Sequence, residues 1–129
     1  MKRLTTPILI LLSIILFSFC NPQHQTPEQA LEKLIEALNT GKLEALKAAS
    51  TERGYNSIVS LISPFPEPDC CSVHLKNWGR SWGEDKIRWE VNSKDFHTAF
   101  MISEYGENKL EFRKYSKGWI FDNWNLENK

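Results

Sequence analysis

The chain has 129 residues, and its 16 basic residues balance its 16 acidic ones. That balance argues against a nucleic-acid-binding surface, which needs a basic excess, and against an acidic metal-collecting tail. Five Trp, seven Phe and three Tyr are a generous supply for this length. Each buries a large apolar area, so one small domain can still build a core.

The first element is not part of the fold. Lys2 and Arg3 form a positive start, residues 8–19 are apolar apart from Ser13 and Ser18, and the run stops at Cys20. A transmembrane helix needs about 20 apolar residues to cross the hydrocarbon, so this stretch is too short to span and fits a signal-peptide core. A cysteine at the end of such a core resembles the lipobox of bacterial lipoproteins. The resemblance implies cleavage before Cys20, diacylation of its sulfur and a membrane anchor made of lipid. Phe19 stands where that motif usually has a small residue. An uncleaved signal anchor, or a secreted chain with a chance cysteine, are the other readings. The expected organisation is a signal over 1–19, a polar tether over 20–25 and one domain over 26–129. Without the signal the balance is 14 basic against 16 acidic residues.

Thr26, Pro27, Glu28 and Gln29 supply an N-cap, a proline at the first helical position and a capping-box glutamine. Leu31, Leu34, Ile35 and Leu38 follow with helical spacing, and Gly41 is a natural stop. Glu32, Lys33 and Glu36 read as its solvated face. A second short helix is expected over 43–50 and a third over 53–62, with Pro64, Pro66 and Pro68 ending helical structure. Residues 72–83 are ambiguous. Val73 and Leu75 alternate like a strand, whereas Leu75, Trp78 and Trp82 fit a helical face; Gly79 weakens a helix, and a strand is the expectation. Residues 87–91, 96–105, 110–113 and 119–126 then read as an antiparallel meander, with turns at 83–85, 106–108 and 116–118. In the last strand, Trp119 and Phe121 are expected on one face, with Ile120 and Trp124 on the other. Helices followed by a curved antiparallel sheet make an α+β domain. One sheet face is then left for loops, a partner or a second copy, so a homodimer is a possible arrangement.

Two passages carry a family resemblance. Residues 26–31 and 38–45 give a T-P-E start, an amphipathic helix, a small polar turn and a short second helix. Gly118, Trp119, Ile120, Phe121 and Asp122 resemble a Gly-Trp-apolar-aromatic-Asp final strand. Together they resemble the nuclear-transport-factor-2-like superfamily, whose fold is the cystatin-like cone, and in particular its small bacterial lipoproteins of unknown function. Members range from isomerases and dehydratases to plain binding domains.

The catalytic candidates are Asp95, His97, Glu104, Glu90 and Tyr105. Strand alternation separates His97, Ala99, Met101, Ser103 and Tyr105 from Phe96, Thr98, Phe100 and Ile102. His97 and Tyr105 lie about 26 Å apart along an extended strand and cannot share a substrate atom. No acid–base pair is forced together, and no cofactor motif is present. Cys70 and Cys71 are adjacent, with His74 nearby. They read as buried thiols, a strained or intermolecular disulfide, or partial metal ligands. Trp78, Trp82, Trp89, Trp119 and Trp124 are either packing or the lining of a flat ligand's pocket. Trp89, Phe100, Phe112 and Trp119 form the candidate ligand-binding set. The expected function is an envelope lipoprotein whose non-catalytic domain binds a small apolar ligand or a protein partner. An isomerase or dehydratase using the cone interior, and a structural component acting through the open sheet face, are the alternatives.

Overall fold

A computed structural model of the chain describes residues 24–62 and 68–126, with residues 68–70 described by backbone only. The expected signal over 1–19, Cys20, Pro64, Pro66 and the side chain of Cys70 lie outside the described residues. Among the described residues four helices come first: α1 (Pro27–Thr40), α2 (Leu43–Ala48), α3 (Glu52–Val59) and α4 (Pro68–Glu84). Four strands follow: β1 (Lys86–Ser93), β2 (Phe96–Ser103), β3 (Gly106–Tyr115) and β4 (Gly118–Asn125). They form one open antiparallel sheet in the order β1-β2-β3-β4. The fold is α+β.

The start of α1 follows from its sequence. The Thr26 hydroxyl accepts a hydrogen bond from the Gln29 backbone N–H at 3.1 Å. The Gln29 side chain reaches back to the Gln25 N–H at 3.0 Å. One N–H that the helix leaves unpaired, and one just ahead of its N-cap, are thereby satisfied. Ala30, Leu31, Leu34, Ala37 and Leu38 form the buried stripe, and Gly41 closes the helix onto the Leu38 carbonyl.

Residues 72–83 are helical, not a strand. Alternation would bury Val73 with Leu75, yet Val73 is 57% exposed and Leu75 fully buried. The three- and four-residue spacing of Leu75, Trp78 and Trp82 sets the structure instead. Pro68 opens α4 rather than ending a helix, because a proline in the first turn forfeits only an N–H that has no helical partner. Gly79 sits where α4 crosses α1, and a side chain there would run into Asn39. Close helix packing at this crossing requires the residue that weakens the helix in isolation. The turn between β2 and β3 falls at Glu104 and Tyr105, two residues earlier than expected, and leaves Tyr105 92% exposed.

Ala99, Met101, Leu110, Phe112, Trp119, Phe121 and Trp124 are buried in the core with the helices. Trp124 was expected opposite Trp119 and Phe121. It joins them because Phe112 pairs with Phe121 and Glu111 with Asn123, leaving Asp122 as an extra residue in β4. Such a bulge resets the alternation of a strand.

The helical layer lies over β3 and β4 through α1 and α3. The outer edge of β4 is covered as well. The Thr51 N–H donates to the Phe121 carbonyl at 2.9 Å, and His24 forms a two-way backbone bridge with Trp119. The opposite sheet face is shielded by its own long side chains. Phe100 is only 7% exposed, with the Arg88 guanidinium 4.0 Å and the Lys109 ammonium 5.8 Å from its ring centre. Arg113 lies 4.2 Å over Phe96. The two guanidiniums lie over the ring faces and remain partly in water.

Gly54 brings α3 onto β4. A Cβ there would stand 2.9 Å from both the Phe121 ring and the Phe121 carbonyl oxygen. Gly54→Ala should therefore destabilise the domain by about 1–3 kcal/mol through overpacking, despite alanine's better helix propensity. Urea unfolding checks this, and an unchanged midpoint would contradict the close approach.

Candidate functional site

The four residues of the candidate ligand-binding set do not share one pocket wall. Trp89, Phe112 and Trp119 are on the helix side of the sheet, whereas Phe100 pairs with Arg88 and Lys109 and lies on the other. Trp89 and Phe112 are in ring contact at 5.6 Å. Trp119, three strands from Trp89, instead packs against His97 at 4.5 Å. The space between helices and sheet is occupied by side chains. Leu34, Leu38, Trp82, Met101, Leu110, Phe112 and Phe121 are all fully buried there. Trp78 and Trp82, one turn apart on α4, meet Trp124 edge-on at 5.2 and 4.9 Å. Tryptophan faces are used up by such contacts.

The candidate acids and bases do not converge either. His97 faces the helices, while Tyr105 projects from the turn after β2; Glu90, Asp95 and Glu104 are exposed. Cys71 is half-buried against the core, and the ring of His74 lies 6.1 Å from that of Trp78. Among the described residues no three His, Cys, Asp or Glu side chains are placed to hold a metal ion.

Two features emerge that local sequence does not announce. The first is a groove of ≈ 440 Å³ between α1, the end of α4 and β1. Leu31, Ile35, Trp82, Ile87 and Trp89 give it apolar walls. Glu28, Glu32 and Glu36 rim it, spaced four apart along one ridge of α1. Lys33 forms an exposed ion pair with Glu36 at 3.7 Å. The repeated four-residue spacing was visible in the sequence. The apolar wall facing it comes from β1, more than fifty residues away. The groove lies where Ile87 and Trp89 of β1, a strand exposed along most of its length, run beside α1 and the end of α4.

The second feature is a polar cluster at the Asp122 bulge. The buried Asp122 carboxylate accepts hydrogen bonds from Arg113 at 3.0 Å, Arg53 at 3.3 Å, the Thr51 hydroxyl at 2.9 Å and the Tyr115 hydroxyl at 3.3 Å. Glu111, also buried, accepts from Asn123 at 3.3 Å and Asn125 at 2.9 Å. Burial first, then the adjacent Asp122 carboxylate, hold the Tyr115 hydroxyl above its ordinary value of 10.0. Both carboxylates are matched by donors, so the cluster joins α3 to β3 and β4. Asp85, between α4 and β1, has a different environment. One carboxylate oxygen is buried with no hydrogen-bond partner among the described residues. Burial first, and then Glu84, raise its carboxyl above the ordinary 3.8.

No protein-family model, curated protein or solved structure matches this chain.

Removing the Asp122 carboxylate deprives two guanidiniums and two hydroxyls of their acceptor. The arginines are solvent-accessible, so the loss is that of charge-assisted hydrogen bonds and not of a fully buried ion pair. Asp122→Ala should cost about 2–3 kcal/mol in denaturant unfolding. Asp85 gives a prediction of opposite sign. Its raised pKa means the folded chain holds the proton more tightly, so the associated stability is present below pH 3.8 and lost as pH rises through the folded value. Asp85→Asn should melt higher than the parent at pH 7, and the difference should vanish on acidification below that value. A pH-independent difference in melting temperature would reject this account.

Proposed function

We propose that the chain is a bacterial envelope lipoprotein, anchored through acylated Cys20, whose domain is a non-catalytic binding module. The cystatin-like cone is the finer fold we assign to its α+β architecture. The anchor rests on the layout of Lys2, Arg3, the apolar run 8–19 and Cys20. No helix among the described residues is long and apolar enough to cross a membrane.

The observation that carries the binding reading is the contrast between the filled interior and the groove beside β1. A ligand or partner would enter the groove, not the layer between helices and sheet. Apolar walls below three glutamates favour an occupant with an apolar body and a positive charge. A small amphiphilic cation has that chemistry, as does a basic, apolar segment of an envelope protein.

Two measurements test this. Protein extracted from its native membrane should begin at Cys20 and carry acyl mass, and Cys20→Ser should move it to the soluble fraction. A chain retained in the membrane after Cys20→Ser would overturn the lipid anchor. For the groove, an alkylammonium ion kept below its micelle concentration should quench tryptophan fluorescence saturably. Ile35→Asp should abolish saturation, and the paired change Glu32→Gln with Glu36→Gln should weaken it about tenfold, the equivalent of about 1.4 kcal/mol. Unaltered binding by both variants would place the site elsewhere.

A further inference from the structure

The two edges of the sheet are unlike. The β4 edge is occupied by His24 at Trp119 and by Thr51 at Phe121. The β1 edge has β2 on one side and, among the described residues, no strand on the other. β1 runs eight residues, Lys86–Ser93, without a proline, and its only irregularity is the bulge beside Asn92. An exposed edge of this length is a template for pairing with another strand. On the helix side, Ile87 is 45% and Val91 68% exposed. The three charged residues of β1, Lys86, Arg88 and Glu90, all share the opposite face.

We propose that a second copy of this chain covers this edge, pairing antiparallel along β1 about a two-fold axis at Trp89. The sequence of β1 is self-complementary in that register. Arg88 lies opposite the partner's Glu90, and Glu90 opposite the partner's Arg88. Ile87 lies opposite the partner's Val91, and Trp89 opposite the partner's Trp89. The outer face then gains two cross-strand ion pairs, and the helix side gains a continuous apolar seam.

Neighbouring registers fail on the same residues. A one-residue slip would set helix-side residues against outer-face ones, which a two-fold sheet cannot do. Centring on Arg88 puts that residue opposite itself, and centring on Glu90 does the same with two carboxylates. Like charges directly opposite are destabilising. Only the Trp89-centred register satisfies both faces. Arg88 already lies 3.5 Å from Glu107 and 3.9 Å from Glu90. Its guanidinium has five N–H donors and can engage the partner's carboxylate without releasing Phe100. The axis stands perpendicular to the sheet, so both helical layers fall on one side of an eight-stranded sheet. On the helix side α1 and the end of α4 are set off from β1 by the groove beside Ile87 and Trp89, and Ile87 and Val91 of the seam are themselves exposed.

The proposal does not rest on what the groove binds, and oligomeric state tests it directly. Sedimentation equilibrium of the full chain in a non-ionic detergent should give a dimer. Val91→Lys, an exposed substitution, should weaken the dimer about tenfold or more, as should Glu90→Arg and Arg88→Glu taken singly. Mixing the Glu90→Arg and Arg88→Glu chains should restore association, because the mixed pair again sets opposite charges against each other. The chain carrying both changes should dimerise like the parent. Circular dichroism establishes that each variant is folded. Because Val91→Lys and Glu90→Arg alter only exposed side chains, they keep the test valid if Arg88→Glu fails to fold. A monomeric parent, a Val91→Lys dimer as tight as the parent's, or a Glu90→Arg dimer as tight as the parent's would each overturn the pairing.

Discussion

One extra residue in β4 holds this architecture together. With Asp122 unpaired between Phe121 and Asn123, the strand changes parity, and Phe121 and Trp124 face the helices although three positions separate them. Regular alternation would send Trp124 to the far face and leave Trp78 and Trp82 without the ring they meet edge-on. The same bulge aims the Asp122 carboxylate at Thr51, Arg53, Arg113 and Tyr115. Beside it, the Phe121 carbonyl accepts the Thr51 N–H, and the Ser57 hydroxyl accepts the Trp124 N–H at 3.0 Å. Docking of α3 and packing of α4 therefore depend on one local departure from the ladder, as bulges that re-aim side chains do elsewhere.

A sheet of four strands has two faces and two edges, and these helices protect only part of that surface. They lie over β3 and β4 on one face and close the β4 edge. The other face is dressed by Arg88, Lys109 and Arg113 lying on Phe100 and Phe96. That device shields aromatic rings without a second layer, because a cation on an aliphatic stem satisfies both ring and water. What remains is β1, exposed along nearly its whole length with Trp89 alone half-buried. The groove and the unpaired edge are consequences of the same shortage of cover.

The legible parts of the sequence were those whose signals are local. Thr26, Pro27 and Gln29 mark the start of α1 within four residues, and Gly41 marks its end. The strand pairs β2–β3 and β3–β4 could be read because short turn segments separate alternating runs. The element α4 was obscured because Val73 and Leu75 mimic a strand over three residues, whereas the helical spacing needs Leu75 through Trp82 to show itself. Gly79 added to the ambiguity, since its value lies in contact with Asn39 of another helix. The facing of Trp124 and Phe100 could not be read at all. One depends on a bulge that no local residue pattern encodes, and the other on which face of β2 the helices cover. Thus the sequence pointed to Trp89, Phe112 and Trp119 as aromatic candidates without revealing that a filled layer already engages them.

The position of the N-terminal segment links these surfaces to the proposed anchor. The His24–Trp119 bridge fixes the chain at the β4 edge, and four further residues to Cys20 reach at most about 14 Å. Three inter-strand spacings of about 4.8 Å separate β4 from β1, so the groove and free edge lie on the side of the sheet away from His24. A lipid attached at Cys20 would hold the domain by its closed edge and present its open one. If two copies join along β1, their tethers leave from opposite ends of the enlarged sheet. Two equivalent anchors can meet one membrane only when the two-fold axis stands along the membrane normal. The sheet then lies flat against the surface and both grooves open to the same side, so a partner with two basic, apolar segments could engage both. Such an arrangement gains from effective concentration what each groove alone lacks in area.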